Sequence, residues 1–101
     1  MKNGKGKEYY YEDGNLMFEG RYLNGQRNGK GKEYKYGKLI FEGEYLNGER
    51  SGKGKEYSHS GNLKFEGKYL AGKRNGKGKE YINHLAIDCE YLYGQRINKN
   101  I

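Results

Sequence analysis

Phe41-Glu42-Gly43-Glu44-Tyr45-Leu46-Asn47-Gly48-Glu49-Arg50-Ser51-Gly52-Lys53-Gly54-Lys55-Glu56-Tyr57 is one full statement of a phrase that recurs along the chain. Its second half, Gly-Lys-Gly-Lys-Glu-Tyr, occurs four times, at 4–9, 29–34, 52–57 and 76–81. Its first half, Phe-Glu-Gly-x-Tyr-Leu-x-Gly-x-Arg, begins at Phe18, Phe41 and Phe65, and a decayed copy begins at Ile87. These starts are 23, 24 and 22 residues apart. A fixed period of this size means stacked supersecondary units that complete one another's core.

Within the first half, alternate residues share one face of an extended strand. Leu39, Phe41, Gly43 and Tyr45 fall together, as do Leu16, Phe18, Gly20 and Tyr22, and Leu63, Phe65, Gly67 and Tyr69. The decayed copy keeps the parity as Leu85, Ile87, Cys89 and Tyr91. The expected core is therefore aromatic rings beside glycine: Phe18, Gly20, Tyr22, Phe41, Gly43, Tyr45, Phe65, Gly67, Tyr69 and Tyr91. A turn follows each strand, at Asn24-Gly25, Asn47-Gly48, Ala71-Gly72 and Tyr93-Gly94. The Gly recurs while its neighbour varies, which calls for a positive φ there, and Asn-Gly signals a hairpin.

The return strand is Gly-Lys-Gly-Lys-Glu-Tyr, with its glycines against the rings and its lysines on the other face. Strict alternation then points Glu33, Glu56 and Glu80 inward, at the cost of desolvating a carboxylate. A bulge after the second Gly would turn Tyr34, Tyr57 and Tyr81 inward instead; the desolvation cost favours the bulge. Short connections of varying length, each holding a Gly (Gly14, Gly37, Gly61), lead to the next unit. The reading is an all-β fold, an elongated single-layer antiparallel β-hairpin repeat array forming an open twisted sheet, advancing about 10 Å per unit. The whole of residues 1–101 is one array: hairpin units at 18–40, 41–64 and 65–86, flanked by half units at 1–17 and 87–101. The half units read either as caps or as the cut ends of a longer array.

Composition agrees. Val, Thr, Trp and Pro are absent, while Tyr occurs 12 times and Gly 18 times in 101 residues. Such a chain must bury rings over backbone, because it lacks the side chains for an aliphatic core. The one cysteine, Cys89, rules out an internal disulfide and fits a reducing compartment. No apolar run approaches the roughly 20 residues of a membrane helix, and no basic-then-apolar leader opens the sequence. The expected location is the cytoplasm or its membrane-facing surface. The net charge of +7 is concentrated in two units, 18–40 at +4 and 65–86 at +3, the remaining segments being balanced.

The segments Phe18-Glu19-Gly20-Arg21-Tyr22, Phe41-Glu42-Gly43-Glu44-Tyr45 and Phe65-Glu66-Gly67-Lys68-Tyr69, each followed by a Gly turn and Gly-Lys-Gly, resemble the MORN (membrane occupation and recognition nexus) repeat, in a variant form. Phe stands for that repeat's usual first Tyr, and Tyr for its common Trp. The resemblance implies the same hairpin array. It also implies a non-catalytic module used for scaffolding, dimerisation or protein docking, or for contact with acidic phospholipid. It supplies no catalytic residue.

The charged ladder is the candidate surface: Lys30, Lys32, Lys53, Lys55, Lys77 and Lys79, with Arg27 and Arg74 near the turns. It could meet an anionic phospholipid such as a phosphoinositide, or an acidic partner. Alternatively it solvates the sheet, paired with Glu19, Glu42 and Glu66, which recur at the same period. Nucleic acid is not expected, because the tyrosines that would stack bases are claimed by the core. Gly-Lys-Gly-Lys lacks the spacing and the helix of a phosphate loop. His59 and His84 fall in connections, and Cys89 takes the place of a core Gly, so no catalytic site, metal or cofactor is expected. The function read from the sequence is a scaffold mediating protein–protein contacts, with anionic membrane binding as the alternative. Self-association through the open sheet ends is a further expectation.

Overall fold

The computed structural model describes residues 3–97. Among these residues the structure is all strand and connection: β1 (Gly4–Tyr9), β2 (Leu16–Leu23), β3 (Gln26–Lys35), β4 (Lys38–Leu46), β5 (Glu49–Tyr57), β6 (Leu63–Leu70), β7 (Lys73–Ile82), β8 (Leu85–Leu92) and β9 (Gln95–Arg96). Every strand pairs antiparallel with its sequence neighbours, so the nine form one open meander in chain order. The molecule measures 50 × 28 × 19 Å.

A row of directly paired glycines crosses the sheet. Gly6 faces Gly20, Gly20 faces Gly31, and the row continues through Gly43, Gly54, Gly67 and Gly78 to Cys89. Bare backbone lets the Phe rings lie against it. A Cβ on Gly54 would come within 2.5 Å of Phe41 Cζ and 2.9 Å of Tyr69 Cε1, so only glycine fits beneath these rings. Each ring is edge-on to the Tyr of its own strand and to the Tyr of the next unit. For Phe41 the centroids lie 5.8 Å from Tyr45 and 5.1 Å from Tyr69. The buried core is Phe18, Tyr22, Phe41, Tyr45, Phe65, Tyr69 and Tyr91, as the alternation predicts.

A one-layer sheet has no second layer to cover its rings, yet Phe18 and Phe41 are 0% exposed. The cover is arginine. Arg27, Arg50 and Arg74 sit over Phe18, Phe41 and Phe65, with guanidinium-to-centroid distances of 4.1, 4.0 and 3.9 Å. Each such contact contributes about 0.5–2 kcal/mol.

Register explains how Arg reaches the ring face. Between Gly20↔Gly31 and Tyr22↔Arg27, the single residue Arg21 of β2 opposes three residues of β3, and Gly29 there has φ 97°. Two extra residues preserve parity, so Arg27 stays on the side of Phe18. The same bulge follows Arg50 and Arg74. Both central residues of each tight turn have positive φ: Asn24 52° and Gly25 81°, Asn47 51° and Gly48 88°. That is the turn whose twist suits a hairpin.

Two expectations are corrected. First, Glu33, Glu56 and Glu80 do lie on the ring face, opposite Phe41, Phe65 and Ile87, and Tyr34, Tyr57 and Tyr81 lie on the lysine face. A bulge exists, but after Glu33 and Glu56 and not after the second Gly. The carboxylates tolerate burial because an Arg from the next unit neutralises each of them. Second, that bulge leaves Met17, Ile40 and Lys64 as single extra residues, which reverses parity upstream. Leu16, Leu39 and Leu63 therefore face Tyr9, Tyr34 and Tyr57 on the lysine side, and Ile40 packs against the core in place of Leu39. The pairing of β7 with β8 has no bulge, so Leu85 and Ile87 keep the expected parity.

Candidate functional site

The ring face is internally committed. Arg50 Nε and Nη2 donate to Glu33 at 2.9 and 3.0 Å, and Tyr45 Oη donates to the same carboxylate at 2.5 Å. The triad repeats as Glu8, Arg27 and Tyr22, and as Glu56, Arg74 and Tyr69. Glu80 closes the series with Tyr91 and Arg96. Burial alone would lift the Glu33 carboxyl, but its hydrogen bonds from Arg50 and Tyr45 outweigh that and hold it below the ordinary glutamate value. Glu56 is held down in the same way by Arg74 and Tyr69.

Arg27 and Arg74 consequently do not share a surface with the lysines. They were expected with the lysines near the turns, but alternation places them on the face of Gly31 and Gly78, and the two-residue bulge preserves that parity. There each is stacked on a ring and paired to a carboxylate. Their guanidinium groups serve the core.

The six lysines do share one face, on either side of the glycine row. There an open groove of about 2290 Å³ runs the length of the array, floored by the glycines and walled by the flanking charges. The two walls differ. One runs Lys7, Glu19, Lys32, Glu42, Lys55, Glu66, Lys79 and Asp88, each opposite the next, with signs strictly alternating. Its carboxylates are positioned by phenols: Tyr34 Oη donates to Glu19 and Tyr57 Oη to Glu42, both at 2.8 Å, and Tyr81 Oη to Glu66. Lys79 pairs directly with Asp88 at 3.2 Å. Burial, and then the hydrogen bond to a carboxylate, push Tyr34 and Tyr57 up to about 12.

The other wall runs Lys5, Arg21, Lys30, Glu44, Lys53, Lys68, Lys77 and Glu90, six bases against two acids. Glu44 turns back to accept from the Lys53 backbone N–H at 2.9 Å, leaving its neighbours' charge less opposed. Beyond this wall, at the turn end of each first strand, Leu23, Leu46, Leu70 and Leu92 alternate onto the same face and are about half exposed. Lys30, Lys53 and Lys77 thus belong to a basic wall, whereas Lys32, Lys55 and Lys79 belong to a balanced one. The sequence signal for this split was the residue after each first-strand Gly: Arg21, Glu44 and Lys68.

The MORN repeat pattern matches residues 18–38, 41–63 and 65–83, opening on the same Phe18, Phe41 and Phe65 that start each unit. The chain belongs to the MORN repeat family. MORN repeats are generally interaction or membrane-association modules, and the family is generally non-catalytic. The curated proteins yield no match to the chain. In this MORN array no group of three His, Cys, Asp or Glu side chains converges among the described residues. His59 and His84 are exposed in connections, and Cys89 is half-buried at the end of the glycine row.

Proposed function

We propose that the chain is a non-catalytic scaffold that docks a partner protein along the groove of its lysine face. The observation that carries this reading is the division of labour between faces. The ring face spends its Arg, Glu and Tyr groups on the core, while the other face offers a groove with charge at every strand and a flat backbone floor. A repeat array presents such a surface as one extended contact, and charge in register with the repeat selects partner and alignment more than it adds affinity.

The test is capture from the source cells by immobilised chain. Wild type is compared with Lys32→Glu/Lys55→Glu/Lys79→Glu in the groove and with Lys35→Glu/Lys64→Glu outside it. Loss of a captured protein in the first variant and retention in the second is expected. Retention in both, or equal loss in both, rejects the groove as the working surface.

The basic wall favours a second reading, an anionic membrane. Lys30, Lys53 and Lys77 with Arg21 and Lys68 lie next to the leucine row, and each base near an anionic surface contributes about 1 kcal/mol. Vesicles with and without an acidic lipid, at graded salt, separate the readings. Membrane binding requires acidic lipid and weakens with salt. It is lost in Lys30→Glu/Lys53→Glu/Lys77→Glu and survives reversal of the balanced wall. Pelleting that ignores both variants rejects it.

A further inference from the structure

Beside the glycine row, charges paired directly across strands are opposite in sign, with two exceptions. Lys5 faces Arg21 and Lys53 faces Lys68, and like charges so placed cost stability. All four side chains are exposed. None of them forms an ion pair among the described residues.

The unit between the two exceptions shows what such bases can hold. There Glu44 stands where Arg21 and Lys68 stand in the neighbouring units, one residue after the first-strand Gly. Its Oε1 accepts from the Lys53 N–H at 2.9 Å, beside the bulge at Gly52. The repeat turns the Lys30 and Lys77 N–H groups to the same place beside Gly29 and Gly76, where the residue opposite is a base. No side chain among the described residues accepts from either N–H. The stems of Arg21 and Lys68 run past these bulges: a Cβ on Gly29 or Gly76 would lie 3.5 Å from the Cβ of Arg21 or Lys68.

We infer that each of these two bulges receives a carboxylate from an acidic segment of a partner protein, in the place that Glu44 fills at Gly52. One carboxylate accepts from the Lys30 N–H among Lys5, Arg21 and Lys30. The other accepts from the Lys77 N–H among Lys53, Lys68 and Lys77. The backbone donor fixes position, and the surrounding bases strengthen the bond and neutralise the incoming charge. Resting on groove docking, this contact adds the partner's chemistry and its interval. β3 and β7 are four strands apart in the sheet, so the two carboxylates stand about 19 Å apart. A membrane imposes no such interval, because its headgroups diffuse.

Oligoproline rulers with blocked ends test the interval, read by two-dimensional amide NMR of the full chain. Two glutamates separated by five prolines stand about 19 Å apart, and separated by two prolines about 9 Å apart. The long ruler is expected to shift the Lys30 and Lys77 amides together. It should bind about tenfold more tightly than the short ruler, or than a long ruler with glutamine at one end. Arg21→Glu/Lys68→Glu puts the chain's own carboxylates in both bulges, and is expected to keep the folded spectrum and lose the ruler. Glu44→Lys opens the bulge between them, and the short ruler should then bind at the strength of the long one. Rulers that bind alike, shifts that spare the Lys30 and Lys77 amides, or a double variant that binds like wild type overturn the inference. A wild-type chain that ignores both rulers and pellets with phosphatidylserine vesicles gives these bases to a membrane and also overturns it. Groove docking itself is judged separately, by capture with Lys32→Glu/Lys55→Glu/Lys79→Glu.

Discussion

Arg50 lies over the ring of Phe41, its guanidinium carbon 4.0 Å from the ring centroid. The contact replaces the missing second layer, and Glu33 fixes it by holding the guanidinium from the side. The Glu33 side chain is 19% exposed and that of Arg50 25%, so neither charge is well solvated and each depends on the other. Arg50→Ala is expected to destabilise the fold by about 2–3 kcal/mol, through an uncovered ring and a stranded carboxylate. Arg50→Lys recovers little of this, because an ammonium neither stacks as a plane nor donates in a fork. Arg96→Ala, at a pair with a half-exposed Arg, costs below about 1 kcal/mol. Urea midpoints of the three variants check the order; Arg50→Ala as mild as Arg96→Ala would remove the stacked Arg from the account.

The four turns that follow the Phe-Glu-Gly strands and their decayed copy share one backbone but not one sequence. Ala71 and Tyr93 hold φ 51° and 48°, the values that Asn24 and Asn47 hold at the equivalent places. A side chain there presses on the carbonyl, and Asn tolerates the conformation better than Ala. Ala71→Asn is therefore expected to raise stability by about 0.5–1 kcal/mol, and Asn47→Ala to lower it by a similar amount. Thermal melts of the pair read both signs, and equal shifts in the same direction would contradict the turn argument.

Acid and alkali should each unfold the array, for opposite reasons. Glu33 and Glu56 titrate below the ordinary glutamate value in the fold, burial being outweighed by Arg and Tyr hydrogen bonds. The unfolded chain then binds more protons than the folded one. Their contribution is complete above about pH 4.3 and is lost as pH falls through the folded value. Tyr22, Tyr34 and Tyr57 are pushed up to about 12 by burial and by their carboxylate partners. Their contribution is complete below about pH 10 and is lost as pH rises through the folded value. Urea midpoints are expected to be flat between about pH 5 and 9 and to fall on both sides. Glu33→Gln should make the acid limb shallower; an unchanged limb would assign acid unfolding to other groups.

What the sequence revealed and what it withheld follow from where each relationship lies. Phe41, Gly43 and Tyr45 sit within a few residues, so period-two alternation exposed them. Asn47-Gly48 carries its own turn chemistry. The burial of Glu33 was misjudged because its compensation sits 17 residues on, at Arg50 in the next unit. A carboxylate read within one unit looks costly. The recurrence of an Arg 16 to 19 residues after each such Glu, as from Glu56 to Arg74, was the available signal. Arg27 and Arg74 were grouped with the lysines for their nearness to the turns, although their even spacing from Gly31 and Gly78 already put them on the ring face, and the two-residue bulge leaves that parity unchanged. The exchange of Leu39 for Ile40 at the core had no mark in the unit read alone.

The glycine row makes the sharpest stability prediction. A Cβ at Gly43 would meet the Lys53 carbonyl oxygen at 2.5 Å and Gly54 Cα at 2.6 Å. These are backbone atoms, which cannot rotate away as a side chain would. Gly43→Ala must therefore part β4 from β5 or break their hydrogen bonds, at an expected cost of about 3 kcal/mol or more, beyond ordinary overpacking. Cys89 occupies the same position in the last unit, opposite Gly78, and already carries a Cβ there. Cys89→Ala is accordingly expected to change stability by less than about 1 kcal/mol. Chemical denaturation of both variants beside wild type decides the matter. A Gly43→Ala chain as stable as Cys89→Ala would mean that the sheet is not held together by close backbone approach along this row.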